Sequence, residues 1–314
     1  MSNKAQALPA GTRIDQYVLD QPIGGGGFSI VYLAREQESG TAVVIKEYMP
    51  GKLAQRTADQ TVAANSDTHI ERFAHGRRLF FQEASTLATL KHPNIVNVIN
   101  FFRANGTVYM VMEHQQGVNL QDYIKRHRGN LSETFIRTVF APLLEGLRFI
   151  HSRGLLHLDI KPGNIHLRPG ADPLLLDFGA VHEIMHTRQF QPTQVITPGF
   201  SPIEQLDPGG YVGPWTDIYA IGATMRACIE GRPPPPAPRR REHDNMRPAV
   251  QAFRKQYSST LLEAIDWATD VDPLLRPQEV GQLVTALGKA PTAMPEGGGR
   301  ALGHFNSLLS WSKE

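Results

Sequence analysis

The sequence predicts an α+β fold in two parts, a strand-rich N-terminal lobe followed by a helical C-terminal one. Three observations carry this. Between Tyr17 and about Glu113, short runs of β-branched and aromatic residues dominate, interrupted by one helical pattern. After Gly117 the apolar residues recur every three to four positions instead. Strands gathered first and helices second, in a chain of 314 residues that is 41% hydrophobic, give segregated elements with material for two cores.

The elements follow in order. Residues 1–16 are small and polar and are expected to be a flexible leader. "YVLDQPIG", "SIVYLARE" and "AVVIKEY" read as strands, with Gly24 to Gly27 turning the chain between the first two. Residues 51–75 are polar and weakly patterned, an insert in the N-terminal lobe (17–115). "RRLFFQEASTLATL" has helical spacing through Leu79, Phe80, Glu83, Leu87 and Leu90, and "KHPNIVNVINFF" and "VYMVME" return to strand character. In the second lobe (116–288), "NLQDYIKRHR" and "SETFIRTVFAPLLEGLRFIHSRG" are helices, the latter with Ser132 as N-cap and Gly154 as stop. "WTDIYAIGATMRACIEG", "LLEAIDWAT" and "PQEVGQLVTALG" complete the helical set. "RPPPPAPRRR" reads as a stiff surface loop, with a polyproline II ligand as the alternative. Residues 289–314 form a tail.

Composition narrows the function. A net charge of +2 gives no reason to expect nucleic acid or an anionic membrane as partner. The lone cysteine, Cys228, rules out an intramolecular disulfide and sits in a helical pattern that suits a buried thiol. No run of 18 apolar residues occurs and the start lacks a signal-peptide core, so the expected location is cytoplasmic.

The chemistry-bearing residues form a series. "IGGGGFSIVY" has Gly24 and Gly26 where a phosphate-covering hairpin has its first two glycines, with Ser29 in the place of the third; a plain turn is the alternative. In "VVIK", Lys46 points to one face of its strand, either snorkelling or gripping phosphate with a carboxylate such as Glu83 to hold it. "HLDIKPGN" supplies Asp159 to accept a proton, Lys161 to neutralise a phosphoryl group and Asn164 to hold a divalent cation. Thirteen residues after Asn164, "LLLDFG" places Asp177 at the end of an apolar strand, where a carboxylate suits a magnesium ion.

From Tyr17 to Gly288 the sequence resembles the Hanks-type serine/threonine protein kinases of the bacterial kind. The resemblance implies the two-lobed kinase fold, with ATP and Mg²⁺ (or Mn²⁺) as cofactors. It implies that Lys46 grips the α/β-phosphates and pairs with Glu83, rather than Glu71, on a regulatory helix. Asp159 is then the base, Lys161 meets the γ-phosphate, and Asn164 and Asp177 hold the metal. Ile23, Val31 and Val44 sandwich adenine with His166 beneath, Met112 is the gatekeeper, and the backbone of Glu113 to Gln115 reads the base. Phe178 and Gly179 follow the metal ligand. "TPGFSPIEQ" resembles the end of an activation segment, in which Thr197 braces Asp159 and Lys161. Glu204 pairs with Arg276 of "DPLLRP", and Asp217 braces the catalytic loop.

Three departures bear on control. Ser29 replaces a glycine, and 37 positions separate Lys46 from Glu83, which points to an insert packing near the regulatory helix. Leu158 stands where related kinases carry an arginine that binds a phosphate on the activation segment. Phosphorylation of Thr187, Thr193 or Thr197 is therefore expected not to be obligatory. Rival readings are a pseudokinase scaffold, which normally lacks one of Lys46, Asp159, Asn164 or Asp177, and an aminoglycoside-type phosphotransferase, which lacks "TPGFSPIEQ". Resemblance further implies protein substrates and, as partners, a forkhead-associated-domain protein and a cognate phosphatase.

Overall fold

The computed structural model describes residues 3–177, 182–183, 196–207 and 209–288. The chain divides into two units, one of residues 1–91 and 96–115, the other of residues 92–95 and 116–314. Phe178, Gly179, Thr187, Thr193 and the tail 289–314 lie outside the described residues.

The first unit is built on strands β1 (Arg13–Ile14), β2 (Tyr17–Gly25), β3 (Ser29–Glu36) and β4 (Ala42–Tyr48). A hairpin of β5 (Ala54–Arg56) and β6 (Val62–Ala64) precedes helix α1 (Ile70–Thr89), and β7 (Val98–Ala104) and β8 (Thr107–Glu113) close the unit. Six strands make one sheet in the order β1-β2-β3-β4-β8-β7, every pair antiparallel. Directly opposed residues share a face and neighbours along a strand alternate. With Val31 opposite Lys46, Lys46 opposite Met110 and Val44 opposite Met112, one face carries Val31, Val44, Lys46, Met110 and Met112. The other carries Tyr32, Ile45, Glu47 and Tyr109.

That second face corrects the expectation of a flexible leader and shows how the insert is held. Residues 3–16 are not a loose leader. They form a 3-10 turn (Asn3–Gln6) and β1, and Leu8 is buried with its N–H donating to the Tyr32 hydroxyl at 3.1 Å. The insert is likewise structured, and its last residues belong to α1, which begins seven residues before the run that gave the helix its spacing. The physical reason is a buried charge. Glu47 is fully buried and accepts from the Tyr32 and Tyr109 hydroxyls, each at 2.8 Å, and from Arg56 Nη2 at 2.6 Å. Arg56 in turn donates from Nε to the Gln6 carbonyl at 2.7 Å, while its backbone N–H reaches Gln6 Oε1 at 2.8 Å. A carboxylate in this position needs its cation, and the cation fastens insert and leader to the sheet. Burial, with Glu47 adding, pushes the phenols of Tyr32 and Tyr109 up, so both remain donors.

The second unit takes in His92–Ile95, which the sequence places in a strand with residues 98–102. Asn94 instead donates to the Pro173 carbonyl at 2.8 Å, and Ile95 bridges Leu175. Its elements are β9 (Val118–Asn119), α2 (Leu120–His127), α3 (Glu133–His151), β10 (Leu155–Leu156), β11 (Ile165–Arg168), β12 (Asp172–Leu175) and β13 (His182–Glu183). Then follow α4 (Pro214–Glu230), α5 (Ala237–Glu242), α6 (Ala249–Ala252), α7 (Ser259–Ala268) and α8 (Val280–Leu287). Ser132 caps α3 by accepting from Phe135 N–H at 3.2 Å. Helix α4 is buried on nearly every side, including Cys228, whose thiol pKa burial pushes up. Residues 232–236 connect α4 to α5 as a surface loop, with Arg232, Pro233 and Pro235 exposed and Pro234 buried. No helix among the described residues is long and apolar enough to cross a membrane.

Candidate active site

In the first unit the site residues share the Lys46 face of the sheet. Lys46 is buried, and its Nζ lies 5.6 Å from the centroid of Phe80 on α1. Glu83 follows Phe80 by three residues and therefore sits on the same helix face, which brings it to the side that Lys46 approaches. Close packing of α1 is secured at Gly76, where a Cβ would fall 2.0 Å from the Tyr48 hydroxyl; Tyr48 stacks between Phe73 and Phe80. Val31, Val44 and buried Met112 line the strip beside Lys46, with half-exposed Ile23 on β2. Gly24 and Gly26 belong to the tight β2–β3 hairpin. Gly26 N–H donates to Ser29 O at 3.0 Å, and Gly25 adopts φ 156°, where a Cβ would crowd Ser29 O at 2.9 Å. Glu113 and Gln115 end this unit, joined by a side-chain hydrogen bond of 3.3 Å.

In the second unit Asp159, Lys161, Asn164 and Thr197 converge. Lys161 Nζ donates to both oxygens of Asp159, at 2.9 and 2.7 Å. Asn164 Nδ2 donates to Asp159 Oδ2 at 2.9 Å and to its carbonyl at 2.8 Å. The Thr197 hydroxyl donates to Asp159 Oδ1 at 2.9 Å and accepts from Lys161 at 3.1 Å. Because its amide nitrogen faces Asp159, Asn164 keeps Oδ1 for another partner. Leu176 N–H donates to Asn164 O at 2.8 Å, so Asp177, with φ 44°, follows directly beside Asn164. A carboxylate next to an amide oxygen is a hard, all-oxygen donor pair of the kind that suits Mg²⁺ or Mn²⁺.

The loop is held from below by Asp217 near the start of α4. Its fully buried carboxylate accepts from His157 N–H at 2.9 Å, Leu158 N–H at 2.8 Å and His151 Nε2 at 2.8 Å. Burial pushes the Asp217 carboxyl up, but the bonds from His151 and the backbone outweigh it and hold it below the ordinary value. His157 is also fully buried: its Nδ1 accepts from Asp159 N–H at 3.2 Å and its Nε2 faces Leu176 O at 3.0 Å. Burial drives its pKa down, which keeps the ring neutral. Leu158 takes a left-handed backbone, φ 60°, and buries its side chain with Leu156 and Val212. Its carbonyl accepts from buried Gln205 Nε2 at 2.6 Å. Sequence reasoning missed Gln205; its only signal was a polar residue directly after Glu204.

Arg276 and Glu204 form a bidentate pair at 2.7 and 3.2 Å, both buried, and the Thr216 hydroxyl adds a bond of 3.0 Å to the same carboxylate. His166 lies on β11 opposite Asn119. Behind it Gly117 has φ 154° and no room for a side chain: a Cβ would meet Leu167 O at 2.1 Å.

Comparison with known proteins decides the family. The model of the protein kinase domain matches residues 17–287. The chain belongs to the protein kinase family. The kinase is 33% identical over 223 residues to serine/threonine-protein kinase D of Synechocystis, covering 68% of this chain and 40% of that protein. It is 32% identical over 256 residues to serine/threonine-protein kinase STE20 of Candida glabrata, covering 80% of this chain and 25% of that one. The chain thus spans a quarter to two fifths of these relatives, and what they share with it is the serine/threonine kinase domain. Among solved structures, the PpkA-294 apo form superposes with a TM-score of 0.81 at 35% identity, over 90% of this chain and 99% of that one. A Rad53 structure in complex with AMP-PNP matches with a TM-score of 0.64 at 21% identity, over 87% and 64%, which shows the fold alone. The kinase is of the bacterial Hanks type, as its motifs implied. Members of this family use ATP and a divalent metal.

Proposed function

We propose that the kinase transfers the γ-phosphate of ATP to serine and threonine hydroxyls of proteins, itself included, with Asp159 as the base. The observation that carries this is the fixed Asp159 carboxylate, gripped by Lys161, Asn164 and Thr197 at 2.7–3.1 Å. A substrate hydroxyl hydrogen-bonds to this carboxylate and gives it a proton as the oxygen attacks the γ-phosphorus, while the bond to the β,γ-bridging oxygen breaks and ADP leaves with its electron pair. The carboxylate cannot swing away, so the geometry is set before the substrate arrives. The Lys161 ammonium stands beside it and offsets charge on the transferring group. Thr197 spans both groups, so the activation segment reports its position directly to the base. Lys46, positioned by α1 and Glu83, is the residue for the α/β-phosphates; Ile23, Val31, Val44, Met112 and the Glu113–Gln115 backbone are the adenine residues of the first unit, and His166 is that of the second. Asn164 and Asp177 would hold Mg²⁺, which when bound would supply positive charge to the phosphate oxygens.

Control departs from kinases with an arginine before the aspartate. Leu158 fills an apolar cluster with Leu156 and Val212 instead of waiting for a phosphate, which supports activity without activation-segment phosphorylation. A forkhead-associated-domain protein and a cognate phosphatase, in the cytoplasm, are the partners that resemblance favours.

Incubation with labelled ATP and Mg²⁺, alone and with a generic basic protein, tests the reading. Label on serine and threonine that Lys46→Met abolishes is the expected result; ATP binding without transfer by the unaltered chain overturns it.

A further inference from the structure

A cavity of about 480 Å³ lies wholly within the first unit, between α1 and the β7–β8 hairpin, and takes no part in the site described above. Three arginines line it, Arg77 and Arg78 from α1 and Arg103 from β7, and none of its lining residues is acidic. Elsewhere arginines shielded from solvent meet carboxylates, Arg56 with Glu47, Arg226 with Glu230, Arg240 with Asp244 and Arg276 with Glu204, whereas in the cavity Arg77 is half-buried and Arg78 and Arg103 are exposed. Among the described residues, none of the three cavity arginines has such a partner.

Two of them are already oriented. Arg77 Nη1 donates to the Gly106 carbonyl at 2.6 Å, and its guanidinium stacks 5.3 Å from the centroid of Phe73. Arg103 stacks 4.6 Å from the centroid of Phe81. Stacking fixes the guanidinium planes and leaves N–H edges for an anion. The opposite wall is braced by the insert. Val62 N–H donates to Asn105 O at 2.8 Å, and a Cβ on Gly106, φ 71°, would fall 2.5 Å from Val62 O. Preoriented cationic donors without an internal counter-ion suit a dianion with several acceptor oxygens, which is the chemistry of a phosphate monoester.

We propose that this cavity binds a phosphoserine or phosphothreonine side chain, on this chain or on a phosphorylated partner, and that the bound phosphate clamps α1 to the β7–β8 hairpin. The clamp acts on Glu83, six residues beyond Arg77 on the same helix. The consequence for catalysis rests on the kinase reading; the binding itself does not.

The test uses the full chain carrying Lys46→Met, which cannot label itself, after phosphatase treatment. It is titrated with a short phosphothreonine peptide and with the same peptide unphosphorylated, reading fluorescence anisotropy and hydrogen exchange in α1. The phosphopeptide binds saturably and slows exchange over residues 70–82, and the plain peptide does neither. Arg77→Gln with Arg103→Gln weakens binding by roughly tenfold or more, the size of a lost hydrogen bond to a charged group, whereas exposed Arg254→Gln leaves it unchanged. Arg103→Gln alone, whose side chain makes no hydrogen bond, serves if the double variant unfolds. Weaker peptide binding by the autophosphorylated wild-type chain than by its phosphatase-treated form places the phosphate on this chain; equal binding places it on a partner. No phosphopeptide binding, equal binding by the arginine variants, or binding that leaves α1 exchange unchanged overturns the proposal. Loss of phosphoryl transfer in the wild-type assay would overturn the kinase reading instead.

Discussion

Arg56→Met removes the cation that the buried Glu47 carboxylate faces. Glu47 is fully buried and has three donors, Arg56 at 2.6 Å and the Tyr32 and Tyr109 hydroxyls at 2.8 Å each. Breaking a buried ion pair from one side typically costs about 3–5 kcal/mol, because the remaining charge keeps its desolvation penalty. Two hydroxyls still serve Glu47, which puts the electrostatic loss at the low end. The bonds from Arg56 to the Gln6 and Gln60 carbonyls, at 2.7 and 3.1 Å, add about 1 kcal/mol together after exposure is allowed for. The sum is about 3–4 kcal/mol. Hydrogen exchange of the β4 amides reads it without needing the whole chain to unfold, and protection there falls roughly 10²- to 10³-fold at 1.36 kcal/mol per decade. Adding Glu47→Gln to Arg56→Met restores part of the loss, since the uncompensated charge is gone. Protection within a factor of two of wild type in Arg56→Met would refute the reasoning, because Glu47 would then need no cation.

Other consequences follow from the second unit. Gly117→Ala places a methyl group 2.1 Å from Leu167 O at φ 154°, so thermal denaturation occurs well below the wild-type temperature; an unchanged midpoint contradicts the packing. Thr187→Ala with Thr193→Ala keeps phosphoryl transfer, because Leu158 has no donor for a phosphate there, whereas Thr197→Ala lowers kcat, because the Thr197 hydroxyl bonds to Asp159 and Lys161; a dead Thr187/Thr193 variant refutes the role given to Leu158. Stability falls in mild acid. Burial holds His157 neutral below its ordinary 6.5, so below that pH the unfolded chain binds a proton that the folded one refuses. The loss reaches at most about 1.4 kcal/mol per pH unit for this group. Asp217, held below 3.8, adds its loss only at lower pH, as its carboxylate protonates. Urea midpoints at pH 7.5, 6.5 and 5.5 check the first step, and a midpoint that does not fall between 6.5 and 5.5 speaks against it.

Much of this was legible in the residues because catalytic chemistry is local in sequence. Asp159, Lys161 and Asn164 lie within six positions, so their convergence on one carboxylate follows from a single loop. Ser132 and Gly154 delimit α3 by rules that act over three or four residues. The missing parts depend on distant partners. Nothing around Glu47 announces Arg56 and Gln6 as its neighbours, so the leader reads as flexible and the insert as weakly patterned when both are fastened to the sheet. His92–Ile95 look like part of the next strand, yet Asn94 bonds to Pro173, 79 residues away. Gln205 gains meaning only when Leu158 adopts a left-handed backbone and turns its carbonyl toward it.

The base assigned to Asp159 is tested most directly by the single-turnover rate of Asp159→Asn with saturating ATP and Mg²⁺. The amide cannot take the proton of the attacking hydroxyl but keeps the size of the carboxylate. The account predicts a rate roughly 10²–10⁴ lower, about 3–5 kcal/mol of lost transition-state stabilisation, with ATP affinity little changed. A rate within a few-fold of wild type would contradict it.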